Sequence, residues 1–243
     1  MIQILIIVIC NNGDKTMGSN YKVTYNVDLV FCIDSTGSMD NIINLVKTNA
    51  INFYQDLMTT MEAKHKVISQ LRIKVISFRD YIADGEKAML NTDFFLLPEQ
   101  ANEFADVVNS IEADGGGDDP EDGLEALAYA IRSKWTTEGV KKRQVIVVWT
   151  DDATHDLGFG KSATNYPSKM AKDFAELTAW WGDRQSGYMD YSAKRLILYA
   201  PDLPSWNTIS RTWDSVIHYP SEAGDGLTDI TYEQILNTIS NTI

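Results

Sequence analysis

Apolar and polar positions along this chain fall into two rhythms that take turns. Residues 27–33 (VDLVFCI) form a short, β-rich apolar run, the pattern of a parallel strand buried on both faces. A Thr36-Gly37 turn follows. Across residues 39–61 the apolar positions Ile42, Ile43, Val46, Ala50, Phe53, Tyr54 and Leu57 then recur at helical spacing on one face. Residues 71–78 (LRIKVISF) alternate and predict a strand, and residues 93–97 predict another after a loop at 81–87. Pro98 at the first helical position and Glu99 in the first turn predict a helix to about Ile111. A glycine-rich loop at 114–120 interrupts the pattern, and residues 121–135 are helical again. The β-branched run 144–150 (QVIVVWT) predicts a central strand. Beyond it come a helix at 168–181, strands at 195–200 and 216–219, and a closing helix at 232–243.

Strands alternating with helices predict an α/β fold: a doubly wound, mostly parallel central sheet with helices on both faces. The short connection between 71–78 and 93–97 predicts one antiparallel edge strand. Open sheets of this kind bind ligands outside the carboxyl ends of their strands. Polar clusters are therefore to be sought just after each strand.

Composition narrows the function. The 243 residues are 44% hydrophobic, enough to fill one large core. The net charge of −13 argues against nucleic acid and anionic membrane as partners, because both recruit basic surfaces. It suits carboxylates gathered around a hard cation. Two cysteines, Cys10 and Cys32, make no disulfide framework, so a reducing, cytoplasmic setting is expected. Residues 1–10 (MIQILIIVIC) are apolar but fall short of the roughly 20 residues a membrane-spanning helix needs. They also lack a basic leader region and a cleavage site. Met17 is read as the point where translation starts, with residues 1–20 as an extension outside the fold and 21–243 as the domain. An extra edge strand or a membrane-touching tail is the competing reading of the first residues.

Three acidic clusters fall where ligands are expected. Asp34, Thr36 and Ser38 follow the first strand, Asp118, Asp119 and Glu121 lie in the glycine loop, and Asp151 and Asp152 follow the central strand. All are oxygen donors of the kind that hold Mg²⁺, Mn²⁺ or Ca²⁺, and no Cys/His set with zinc spacing accompanies them. A strand-to-helix turn points positions 1, 3 and 5 of Asp34-Ser-Thr36-Gly-Ser38 to one side. Two hydroxyls can then touch a cation while the leading carboxylate acts through water or a hydrogen bond. An open position on such an ion can accept an outside carboxylate. Taken alone, the same segment reads equally as a helix N-cap. The neighbouring strand, helix and acidic strand ends favour the metal.

Other features carry less. Asp151, Asp152, His155 and Asp156 could make a hydrolytic metal centre, which keeps a metal-dependent hydrolase as the alternative function. Gly115-Gly116-Gly117 lacks the Lys-Ser/Thr ending of a phosphate loop. Lys141-Lys142-Arg143 reads as a solvated strand entry, and Trp180, Trp181, Trp206 and Trp213 read as core, with a partner-binding role for Trp206 or Trp213 as the alternative. Asp225 to Asp229 resembles a calcium loop without its closing glutamate.

The segment Val-Phe-Cys-Ile-Asp34-Ser-Thr36-Gly-Ser38-Met39 resembles the metal-ion-dependent adhesion site (MIDAS) motif, Asp-x-Ser/Thr-x-Ser, of von Willebrand factor A (VWA) domains. Within that family the chain resembles the bacterial, cytoplasmic-type members, which include tellurite-resistance-associated proteins. The resemblance spans about residues 25–243. It implies a binding module, a scaffold or signalling adaptor in a stress-response system, rather than an enzyme. The implied cofactor is a divalent cation, Mg²⁺ first and Mn²⁺ or Ca²⁺ as alternatives, and the implied partner is a protein offering an acidic side chain. Asp34, Thr36, Ser38 and Asp151 match the family's ligand positions. The second loop, Gly117-Asp118-Asp119-Pro120-Glu121, instead resembles that of integrin β I-like domains, which implies Glu121 as ligand with Asp119 as runner-up. The same likeness implies a second cation held by Asp80, Asp118, Pro120 and Glu121, although Gly116 stands where that family has an asparagine. For Asp80 the plainer reading is a bond to Arg79 or to a backbone amide.

Overall fold

The computed structural model describes residues 23–117 and 120–243; the N-terminal extension and the pair Asp118-Asp119 lie outside the described residues. The central strand β1 (Thr24–Asp34) lies between β2 (Val67–Phe78) and β5 (Lys142–Trp149), parallel to both. The parallel sheet continues through β6 (Lys194–Pro201) and β7 (Val216–Ser221). On its far side, β2 pairs antiparallel with β3 (Met89–Asn91) and β4 (Phe95–Leu97). The order is β3-β2-β1-β5-β6-β7, with β4 also on β2. The fold is the mostly parallel α/β sheet that the rhythm predicts, and its antiparallel edge comes in two short pieces.

Apart from the paired Asp28, β1 is apolar along residues 27–33 because both of its faces are covered. Val27, Leu29, Phe31 and Ile33 face a core built with α1 (Asp40–Asn49), α2 (Phe53–Ala63), α3 (Ala101–Ser110) and α7 (Tyr232–Thr242). Val30 and Cys32 face the opposite core, built with α4 (Gly123–Ile131), α5 (Phe174–Gly182) and α6 (Pro204–Thr212). Trp180, Trp181, Trp206 and Trp213 are all buried in this second core, so they pack rather than present a surface.

Several boundaries differ from the sequence reading. The helix expected over 39–61 is two helices. Between them the Asn49 side chain donates to the Leu45 carbonyl, and the Ala50 and Asn52 amides turn to carbonyls three residues back. The α3 helix begins after Pro98, because the Gln100 side chain accepts from the Leu96 amide and holds the chain in a turn first. At α5 the start moves from 168 to Phe174, where Asp173 caps by accepting from the Glu176 amide. The unexpected helix is α6. Its start carries a Pro at the first position, but Trp206 and Ile209 are too few apolar positions to declare a period. No described helix is long and apolar enough to cross a membrane.

Candidate metal centre

Parallel strands β1 and β5 end side by side, Ile33 opposite Trp149, so the residues that follow them meet at one end of the sheet. Asp34 is fully buried there. Its Oδ1 accepts from the Thr36 amide (3.0 Å) and the Thr36 hydroxyl (2.7 Å), and its Oδ2 accepts from the Thr150 hydroxyl at 2.7 Å. Thr36 Oγ1 lies 3.5 Å from Ser38 Oγ, which donates to Asp151 Oδ1 at 2.9 Å. Burial pushes the Asp34 carboxyl up to about 6, against the pull of its bonds from Thr36 and Thr150.

A loop far along the chain closes the other side. The Gly226 amide donates to Asp151 Oδ2 at 2.8 Å, and the Gly224 amide donates to the Asp151 carbonyl at 2.8 Å. Gly226 has φ +62°, and a Cβ there would come within 2.4 Å of the Ser38 carbonyl oxygen. The approach requires glycine on both counts. The Thr150 and Gly226 roles escape sequence reasoning, because neither residue type signals a bond across 116 or 75 residues.

Glu121 enters from the loop before α4. Its carbonyl accepts from the His155 amide at 2.8 Å and its amide donates to the Ala153 carbonyl at 3.3 Å, tying that loop to the segment after β5. The side chain is buried, and Oε2 accepts no hydrogen bond among the described residues. Its Oε1 lies 2.9 Å from where a Gly116 Cβ would sit, and Thr36 Cγ2 lies 2.8 Å from the same point. Glu121 and Thr36 therefore converge on a spot that only a glycine backbone leaves open. Burial, reinforced by Asp34, Asp80, Asp84 and Asp152, pushes the Glu121 carboxyl up to about 9. The structure thus brings Asp34, Thr36, Ser38, Asp151 and Glu121 to one end of the sheet. It assigns nothing to Asp118 and Asp119, which lie outside the described residues.

Asp80 follows β2 and is fully buried. Its Oδ1 accepts from the Ala83 amide, and its Oδ2 lies 3.0 Å from His155 Nε2. Arg79 turns away, donating to the Ser35 carbonyl at 3.0 Å and the Glu112 carbonyl at 2.8 Å. The hydrolytic set does not converge in these contacts, since His155 meets Asp80 while the Asp151 carboxylate meets Ser38 and Gly226.

A family model described as the von Willebrand factor A domain matches residues 28–166, more than half of the chain. The Alpha-protein kinase vwkA of Dictyostelium discoideum is 27% identical over 141 residues, which cover 58% of this chain and 21% of that protein. The chain thus spans about a fifth of the length of that curated relative. Among solved structures, von Willebrand factor type A from Catenulispora acidiphila aligns over 90% of this chain and 43% of its own, at 13% identity and TM-score 0.51. The pilus adhesin SpaC from Lactobacillus rhamnosus GG aligns over 89% of this chain and 30% of its own, at 14% identity and TM-score 0.47. The Catenulispora likeness bears on the fold alone.

Proposed function

The chain belongs to the von Willebrand factor A domain family, and from that premise we propose that it is a metal-ion-dependent protein-binding module of the MIDAS type. Domains of this family commonly bind a divalent cation and often mediate protein interactions. The observation that carries the reading is the Glu121 carboxylate, buried with Oε2 unpartnered beside the Thr36 side chain. A buried carboxylate without a donor is costly unless a proton or a cation meets it.

The donor set fits a hard cation, because every candidate atom is oxygen. Thr36, Ser38 and Glu121 would hold the ion, with Asp34 and Asp151 acting through water or through the hydroxyls they already bind. Mg²⁺ suits this set first, then Mn²⁺ or Ca²⁺. When bound, the cation supplies a positive centre that takes an oxygen from a partner's acidic side chain. Asp34 keeps the Thr36 hydroxyl oriented, and Asp151 does the same for Ser38.

The motif resemblance suggests a scaffold or signalling adaptor of the bacterial stress-response type, with an integrin-like second loop. The hydrolase alternative has less support, because His155 is directed at Asp80 rather than at Asp151. Titration calorimetry with Mg²⁺, Mn²⁺ and Ca²⁺ on the wild type and on Asp34→Ala tests the site. Binding that is unchanged in the variant would refute it. Capture of a partner with and without chelator then tests whether the ion is needed.

A further inference from the structure

Behind the Glu121 loop lies a second group of donors built from three separate segments. Asp80 comes from the turn after β2, Asp122 from the residue before α4, and His155 from the stretch after β5. Asp80 and Asp122 are fully buried and His155 is 7% exposed. One ligand atom from each lies within 4.8 Å of the others.

The hydrogen bonding leaves these atoms free in a consistent way. Asp80 uses Oδ1 to accept from the Ala83 amide, and Asp122 uses Oδ2 to accept from the Tyr81 amide at 2.7 Å. The remaining atoms, Asp80 Oδ2, Asp122 Oδ1 and His155 Nε2, are buried and have no hydrogen-bond partner among the described residues. The Asp80 Oδ2 and His155 Nε2 atoms are 3.0 Å apart and make an ion pair only when His155 is protonated. Two donors 3.0 Å apart and each about 2.1 Å from an ion subtend roughly 90° at it, an angle that a five-coordinate site holds. Asp80 Oδ2 and His155 Nε2 have only each other at 3.0 Å, and Asp122 Oδ1, buried beside them, has no hydrogen-bond partner, a costly arrangement for a dry polar cluster. It becomes an ordinary one around a cation.

The surroundings hold the ligands in place. Phe159 stacks on the His155 ring with centroids 3.8 Å apart and planes 13° apart. The Gly158 amide donates to Glu125 Oε1 at 2.7 Å, fixing the turn that carries Phe159. The His155 amide reaches the Glu121 carbonyl, so this group and the Glu121 carboxylate share a backbone link.

We propose that Asp80, Asp122 and His155 form a second divalent-cation site, separate from the Asp34–Ser38 segment and selective for an ion that accepts imidazole. One nitrogen and two carboxylate oxygens suit Zn²⁺ or a comparable transition ion better than Mg²⁺. Three protein ligands leave a position for water. Asp122 and His155 are the buried ligand-type neighbours of the second Asp80 oxygen. An ion here would tie together the turn after β2, the Glu121 loop and the segment after β5.

The test uses the full chain, stripped with chelator and titrated with Zn²⁺ alone. Four proteins are compared: wild type, Asp34→Ala, His155→Gln and Asp122→Asn. Asp34→Ala should keep its Zn²⁺ affinity within about threefold, while His155→Gln and Asp122→Asn should each lose about tenfold or more, as losing a ligand must cost at least what losing its support does. Zn²⁺ affinity that is unchanged in the His155 and Asp122 variants, or lost only in Asp34→Ala, would overturn the site. Should either ligand variant fail to fold, Co²⁺ bound to the folded Asp34→Ala protein decides. Intense visible absorption of a four- or five-coordinate ion supports the site, and the weak spectrum of hydrated Co²⁺ overturns it.

Discussion

At the scale of single residues, two hydroxyls decide where Asp34 points. Thr36 holds one carboxylate oxygen and Thr150 the other, so the carboxylate is fixed by protein donors. Thr150→Val keeps the shape and removes a donor from a buried carboxylate. It should cost about 1–3 kcal/mol, read from urea unfolding. The same variant should weaken Mg²⁺ binding, while a distant hydroxyl change such as Thr59→Val should not. Gly226→Ala is a second test. Its Cβ would meet the Ser38 carbonyl at 2.4 Å and force the amide off Asp151, so Mg²⁺ affinity should fall at least as far as in Thr150→Val. Calorimetry that shows wild-type binding in both variants would mean that neither contact shapes the site.

At the scale of elements, strand ends carry the chemistry and strand bodies carry the stability. Near the other end of β1, buried Asp28 accepts from Arg72 Nε and Nη2, each at 2.7 Å, and from the Thr136 amide at 2.7 Å. These bonds tie β1 to β2 and to the turn after α4. Asp28→Ala should destabilise the chain by about 2–3 kcal/mol by urea unfolding, below the range for a fully buried pair because Arg72 is 24% exposed. Mg²⁺ binding to the folded variant should stay as in wild type, since Asp28 lies near the start of β1 and the proposed metal ligands follow its end. At the chain's last helix the capping box of Thr231 and Gln234 fixes where α7 begins, just after the loop whose Gly226 reaches Asp151.

At the scale of the whole molecule, crowded acids make stability depend on pH and on metal. Ordinary values are 3.8 for Asp34 and 4.5 for Glu121, and burial raises them to about 6 and about 9. Each carboxyl then holds its proton more tightly folded than unfolded. Its contribution is full below about pH 4 and is lost as pH climbs through about 6 for Asp34 and about 9 for Glu121. In chelator, Tm should therefore fall between about pH 5 and pH 9. On the proposed metal site, Mg²⁺ should restore more of the Tm at the upper end than at the lower, because a cation is held by ionised rather than protonated acids. A Tm in chelator that rises over that interval would show that these acids do not govern stability. The chain's order of elements, its buried central strands and the acids after them were legible from sequence. Burial rhythm is a property of consecutive residues, and acids after apolar strands mark the ligand end of such a sheet. The break at Asn49, the late start of α5 and the α6 helix were not legible, because side-chain bonds and packing set them. Thr150 on Asp34, Gly226 on Asp151, and His155 with Asp80 and Asp122 were likewise hidden. Those contacts arise where strands from distant parts of the chain end side by side, and register and topology, not local pattern, decide which side chains meet there.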